Sequence, residues 1–310
     1  MRTRHLVDPQ LLPLIDNFVP MVLSDETLPL IRSALPAMVA AQPLPDLPVT
    51  VAQIHIDSGE DGRTIRCLLI QPEQRSGFAP AILHFHGGGH VLGVPEMDLA
   101  QLMVWANELG CLILSVDYRL APENPFPGPM DDAYAALGWL HGQAQTLGID
   151  PARIAVSGTS AGGAMAACLC LMARDLGEFP IAFQHLEAPR LDDRLPDPAN
   201  PFTGEFVWTA ENSTYCRAAY LGSGDPSPYA SAARADDLSG LPPACIAVGS
   251  LDLFVDECLA YTARLTRAGV PVELIVYPGC CHGFKMARDA PVTLRAERDN
   301  VHALRRALFA

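Results

Sequence analysis

Gly158-Thr159-Ser160-Ala161-Gly162 is the segment with the plainest chemical content. Arg153 to Val156 leads into it as a short strand and the small-residue run 161 to 175 leads out of it as a helix. A serine on a sharp strand-to-helix turn stands exposed for nucleophilic attack. Glycines two residues either side let the neighbouring backbones come close. The helix N-terminus that follows favours developing negative charge. The bland alternative is a tight glycine turn with no chemistry. His86-Gly87-Gly88-Gly89 follows another apolar strand, AILHF at 81 to 85. Three glycines leave bare N–H groups with no side chain in the way, so two of them can point at one carbonyl oxygen. One preorganised donor of this kind is worth on the order of 3 kcal/mol of transition-state stabilisation. A dinucleotide-binding turn does not fit, because His90-Val91-Leu92-Gly93 breaks the G-x-G-x-x-G register, and no G-K-[ST] is present for a P-loop.

A nucleophilic serine needs a base. Among nine histidines, His282 in Gly279-Cys280-Cys281-His282-Gly283-Phe284 stands just past the apolar strand ELIVY (273 to 277), on a loop at a strand's carboxyl end. His302 falls in the final helical stretch, a surface or packing position. His84, His86 and His90 have a spacing suggestive of metal, but no carboxylate, cysteine or histidine set resembling a hydrolytic zinc site accompanies them, so no metal is expected. The base needs an acid to orient it. Asp252 follows the strand ACIAVGS (244 to 250) by two residues, and its competing role is to cap the helix starting near Val255. Asp256 and Glu257 are rivals already inside that helix. The chain order Ser160, Asp252, His282 is the order that α/β-hydrolases use.

The elements that must hold these residues can be read by periodicity. VTVAQIHI from Val49 alternates, Asp61-Gly62 marks a hairpin turn, and TIRCLLI follows as a second strand. CLILSV (111 to 116) and IAFQHL (181 to 186) complete eight strands, and helices are expected over 98–109, 130–147, 161–175, 255–268 and 291–308. Strands alternating with helices predict an α/β fold, a mostly parallel eight-stranded sheet with helices on both faces and ligands beyond the strands' carboxyl ends. Two segments differ. Residues 1–48 are proline-rich and loosely helical, with Leu11, Leu12, Leu14, Ile15, Phe18 and Val19 as one apolar face. Residues 189–228, approximately, are rich in proline, aspartate and aromatics, including Phe202, Phe206, Trp208, Tyr215 and Tyr220. We expect these two to form a helical cap over a catalytic core spanning 49–310.

Composition narrows the function. Hydrophobic residues at 49% and charged residues at 18% describe a globular chain. A net charge of −14 repels phosphate backbones and anionic lipid surfaces, so nucleic acid and acidic membrane are not expected partners. Nine cysteines, two of them adjacent, favour reduced buried thiols over a disulfide framework. No signal peptide is expected, since Asp8, Pro9, Pro13 and Asp16 interrupt the N-terminal apolar run, and a cytoplasmic location is. The uncharged stretch Ile154 to Ala173 is about long enough to cross a bilayer, but its glycines, Ser157, Thr159 and Ser160 fit a buried strand, turn and helix better.

Several of these motifs together resemble the bacterial hormone-sensitive lipase family of esterases, family IV, over residues 80 to 285 approximately. His86 to Gly89 resembles its HGGG loop, Asp117-Tyr118-Arg119-Leu120-Ala121-Pro122-Glu123 its DYRLAPE run, and Gly158 to Gly162 the elbow of its GTSAG branch. Leu186-Glu187-Ala188-Pro189, Leu191-Asp192-Asp193-Arg194 and Asp252 to Glu257 are similar to segments of that same branch. The better-known branch has aspartate at Thr159 and proline at Leu253. The resemblance implies an α/β-hydrolase fold, a Ser160–Asp252–His282 triad, oxyanion N–H groups from Gly88, Gly89 and Ala161, a cap from the N-terminus and an insertion, and structural support from Asp117 to Glu123. It implies hydrolysis of short-to-medium acyl esters by acyl transfer, a small-molecule ester as partner, no cofactor, and room for a homodimer. An amidase or peptidase would use the same machinery. A non-catalytic ligand receptor of the same fold, as in plant gibberellin receptors, is the alternative from another class, and the presence of His282 argues for turnover.

Overall fold

Eight strands form one sheet, with β1 (Val49–Asp57), β2 (Thr64–Pro72), β3 (Ala79–Phe85), β4 (Leu112–Val116), β5 (Ile149–Thr159), β6 (Phe183–Glu187), β7 (Ala244–Gly249) and β8 (Val272–Tyr277) in the order β1-β2-β4-β3-β5-β6-β7-β8. The structure is a computed structural model describing residues 2–59, 62–75, 77–194, 200–224 and 227–309. β1 runs antiparallel to β2 and β2 to β4, and every other neighbouring pair is parallel. Asp61 of the expected hairpin lies outside the described residues. The strands it was to join do pair, from Val49↔Pro72 to Asp57↔Thr64.

β3 is buried along its whole length because helices cover both faces of the sheet, which is why it reads as a continuous apolar run. Ile82 points to one face, where it packs with Leu102 and Trp105 of α3 (Leu99–Leu109) and Val301 and Leu304 of α9 (Pro291–Leu308). Leu83 points to the other, towards a core lined by Met130 and Leu137 of α4 (Gly128–Gly142), Met165 and Leu169 of α6 (Ala161–Leu176) and Tyr261 of α8 (Val255–Arg267). The would-be membrane span resolves into the end of β5 and most of α6. Among the described residues no helix is long and apolar enough to cross a membrane. All nine cysteines are buried and unpaired.

Three local expectations are corrected. The single helix over 130–147 is two, α4 and a short α5 (Ala144–Leu147), because Gln143 leaves helical geometry at φ −95° and ψ 6°. The strand read from Arg153 to Val156 runs from Ile149 to Thr159, with a register irregularity where Ala79 and Ala81 of β3 pair with Ile149 and Ile154. The face proposed for Leu11 to Val19 is narrower. Leu11 and Ile15 are buried at the start and middle of α1 (Leu12–Asn17) and its approach, while Val19 is 83% exposed beyond the helix end.

The N-terminal segment and the insertion meet. Leu11, Ile15 and Phe206 share one apolar cluster with Tyr277, Cys281 and Phe284. The insertion carries α7 (Ala210–Leu221), whose Asn212 accepts from the Leu23 N–H at 2.9 Å and donates to the Met21 carbonyl at 2.8 Å. Phe202 is the exception, 55% exposed. In α2 (Leu28–Ala40), Arg32 donates to the Val91 carbonyl at 2.7 Å and the Ala121 carbonyl at 2.5 Å, so the segment also grips the glycine loop's flank.

Candidate active site

β5 ends at Thr159 and α6 begins at Ala161, leaving Ser160 alone between them at φ 57° and ψ −114°. A non-glycine residue at positive φ costs on the order of 1–3 kcal/mol and persists only where its surroundings enforce it. Here they do. The Ser160 N–H donates to the Glu187 carbonyl at 2.8 Å, and its carbonyl accepts from Ala164 at 3.0 Å and from Arg190 at 3.3 Å. A Cβ on Gly162 would lie 2.0 Å from the Phe85 carbonyl oxygen, so only glycine lets the first turn of α6 press against the end of β3.

Asp252 and His282 come together from the carboxyl ends of β7 and β8, with His282 Nδ1 at 2.8 Å from Asp252 Oδ2. The carboxylate's second oxygen, Oδ1, accepts from the Phe254 N–H at 2.9 Å. One oxygen of Asp252 therefore meets the histidine and the other closes a local turn onto the Phe254 N–H; Asp252 does not cap α8, whose N-cap residue is Phe254, with no side-chain capping bond. The imidazole has Phe254 edge-on at 5.1 Å and Trp208 tilted at 6.0 Å between ring centroids. The rivals are engaged elsewhere. Asp256 accepts from Asn200 at 2.7 Å, and Glu257 accepts from the Asp192 N–H while burial pushes its pKa well up.

Ser160 is 5% exposed, His282 7% and Asp252 1%. Among the described residues His282 bonds Asp252 through Nδ1, and the Ser160 hydroxyl makes no side-chain hydrogen bond. The N–H groups of Gly88, Gly89 and Ala161 likewise have no acceptor among the described residues. Gly89, at φ 65°, turns that loop where a Cβ would meet Cys216 Sγ at 2.5 Å.

The support behind the glycine loop comes from the Asp117–Glu123 run. The Tyr118 hydroxyl donates to the His86 carbonyl at 2.8 Å and its ring stacks on His86 at 4.3 Å. The Ala121 N–H donates to the His90 carbonyl at 2.9 Å, and Asp117 accepts from Arg66 at 2.6 Å. His84, His86 and His90, whose spacing suggests metal, each have a different partner. His84 does have a carboxylate beside it, Asp98 at 3.0 Å, which the spacing alone did not reveal, whereas His86 stacks on Tyr118 and His90 on Tyr220 at 3.8 Å. Burial lowers the pKa of both His86 and His90. Among the described residues no three His, Cys, Asp or Glu side chains converge on a metal position. His302 is exposed on α9.

Residues 82–286 match the family described as alpha/beta hydrolase fold. The chain belongs to the α/β-hydrolase family. Within it, the chain is 36% identical over 307 residues to Esterase LipI of Mycobacterium tuberculosis (strain ATCC 25618 / H37Rv), covering 96% of this chain and 94% of that protein. Carboxylesterase NlhH of the same strain is 34% identical over 315 residues, covering 98% and 97%. The solved structure titled "Bacterial Heroin Esterase" superposes with a TM-score of 0.93 at 38% identity, covering 99% of this chain and 100% of that one.

Sequence reasoning did not assign roles to Arg32, Glu187 or Lys285, and gave Trp208 only a place in the cap. Glu187 carried a signal, a carboxylate closing a strand buried along its length, but its partners come from distant segments. Lys285 stands between Phe284 and Met286 and Arg32 beside Ile31, and nothing local marks either as a contact to the site.

Proposed function

We propose that this α/β-hydrolase is a serine carboxylesterase in which Ser160 is the nucleophile, His282 the general base and Asp252 the acid that orients it. The observation that carries this is the Asp252–His282 pair at the same sheet edge as a strained serine elbow. Ser160 attacks the ester carbonyl while His282 takes its proton. The carbonyl oxygen gains negative charge facing the unengaged N–H groups of Gly88, Gly89 and Ala161. His282 then gives the proton to the departing alcohol, leaving an acyl-enzyme. Water repeats the attack, His282 again accepting the proton, and the carboxylic acid leaves. The names of LipI and NlhH support an ester substrate.

The cap reading takes residues 1–48 and about 189–228 as one unit over the core of 49–310. The Leu11, Ile15 and Phe206 cluster and the Trp208 ring beside His282 support it. Residues 195–199 and 225–226 of that insertion lie outside the described residues. The Trp208 and Phe254 rings beside His282 favour an apolar substrate, and the resemblance to family IV esterases implies short-to-medium acyl chains. Nine unpaired thiols fit a reducing compartment, and we place the protein in the cytoplasm. A panel of p-nitrophenyl esters from acetate to palmitate tests the reading. We expect turnover that is highest for the shorter acyl chains; no turnover of any ester would refute it.

A further inference from the structure

Three residues beyond His282, in the short 3-10 turn Phe284–Met286, Lys285 has a half-buried side chain whose ammonium reaches three acceptors of the protein. Its three protons have three acceptors on three elements, Gln101 Oε1 on α3 at 2.6 Å, Glu187 Oε2 at the end of β6, and Glu297 Oε1 on α9 at 2.9 Å. An ammonium has three donors and no more, so the position of Nζ is triangulated. The central acceptor is bound in turn. Glu187 Oε1 accepts from Gln101 Nε2 at 2.8 Å, and Oε2 also accepts from Asn300 Nδ2 at 3.0 Å. Burial works against the Glu187 charge, yet Lys285 and these bonds hold its pKa down at about 2.

Glu187 has a second attachment. Its main-chain carbonyl receives the Ser160 N–H at 2.8 Å. One residue therefore ties the nucleophile's backbone through its carbonyl and the base's loop through its side chain. Past Tyr277, the last residue of β8, that loop is tied ahead of His282 by the Leu251 N–H to the Cys280 carbonyl at 2.9 Å and by the Gly279 N–H to Ser250 Oγ at 2.9 Å, and beyond His282 Lys285 ties it to α3, β6 and α9. We propose that the Glu187–Lys285 pair is a positioning clamp that sets the approach of His282 to Ser160, and through it kcat. A buried ion pair is a poor device for stability, since apolar residues of similar volume often replace one at no loss. It is a good device for fixing geometry, and a misplacement of about 1 Å at a reacting centre can cost on the order of 10²-fold in rate.

The inference rests on the triad reading, so the test carries a control for that reading. Lys285→Met, Glu187→Gln with Lys285→Met, Glu297→Leu and His282→Ala are assayed on p-nitrophenyl butyrate. Rates are expressed per Ser160 titrated by an organophosphate, and Tm is recorded for each variant. The clamp predicts a per-site kcat lower by about 10- to 100-fold in Lys285→Met and in the double variant, with KM changed less than about twofold. It predicts a smaller, severalfold loss in Glu297→Leu. A double variant that folds and keeps wild-type kcat per site overturns it, as does a loss that tracks only the number of titratable sites. If neither Lys285 variant folds, Glu297→Leu decides. A lowered kcat at unchanged KM supports the clamp, and a wild-type kcat overturns it. An active His282→Ala overturns the triad and the clamp together, whereas an inactive His282→Ala beside a fully active Lys285→Met overturns the clamp alone.

Discussion

Replacing Asp252 by Asn probes the site at the point where its geometry is most constrained. Asp252 Oδ1 accepts from the Phe254 N–H at 2.9 Å, and Oδ2 lies 2.8 Å from His282 Nδ1. An asparagine must keep an oxygen toward Phe254, because an amide N–H₂ there would face another donor. Its N–H₂ is then forced toward His282 Nδ1. That nitrogen can only accept, so the imidazole proton moves to Nε2, the atom that must take the Ser160 proton. The base is thereby present, correctly placed and in the wrong tautomer. The same exchange in a serine protease costs roughly 10⁴ in kcat, which is about 5.5 kcal/mol of barrier at 1.36 kcal/mol per decade. Shape and the Phe254 bond survive, so stability should fall by only about 1 kcal/mol, the scale of one weakened hydrogen bond. Steady-state kinetics on p-nitrophenyl butyrate and a thermal melt measure both quantities. An Asp252→Asn enzyme within tenfold of wild type would refute the reasoning, and so would Asp256→Asn or Glu257→Gln proving equally damaging.

Gly89→Ala forces a Cβ to 2.5 Å from Cys216 Sγ at a positive φ, and displacing that N–H should lower kcat by on the order of 10²-fold with KM little changed; an unaffected kcat would remove Gly89 from the oxyanion site. His185 is buried against Ser157 and Asn300, and burial lowers its pKa from 6.5 to about 4. The unfolded chain therefore binds a proton between those values that the folded chain does not. The neutral ring's contribution is complete above pH 6.5 and fades as pH falls toward 4, in total about 3 kcal/mol. Urea unfolding across that window should show a shallower slope in His185→Gln than in wild type, and equal slopes would contradict the burial argument. Deleting residues 1–40 removes Leu11, Ile15 and the Arg32 bonds, and should lower kcat/KM most for longer acyl chains, at roughly 0.8 kcal/mol for each methylene that loses contact. A folded truncation with an unchanged chain-length profile would show that the segment takes no part in substrate binding.

The eight strands and the elbow were legible because their signals are local, with apolar runs of strand length, a glycine each side of a serine, and turn residues between. The limits of β5 were not, since its first residues pair with β3 through an irregular register that no periodicity marks. α7 was missed because Ala210 to Leu221 shows no apolar stripe; it is held by Asn212 bonded to Met21 and Leu23 and by Tyr215 bonded to Asp25 at 2.9 Å. The polar network of Lys285, Glu187, Gln101 and Glu297 was invisible because it joins residues of four different elements whose nearest neighbours in the chain say nothing of one another. For Asp252, capping and histidine-orienting readings compete in the sequence because a residue type does not say which N–H its second oxygen meets; here it is that of Phe254, ahead of α8, and the helix has no side-chain cap.

The central claim is that turnover passes through an ester bond on Ser160. Mass spectrometry of the intact protein after a millisecond quench with p-nitrophenyl butyrate, followed by peptide mapping, tests it directly. The account predicts one butyryl group per chain, located on the peptide carrying Ser160 and absent from Ser160→Ala, which should remain folded and inactive. A butyryl group on Ser157 or Ser250, or full esterase activity in Ser160→Ala, would contradict it.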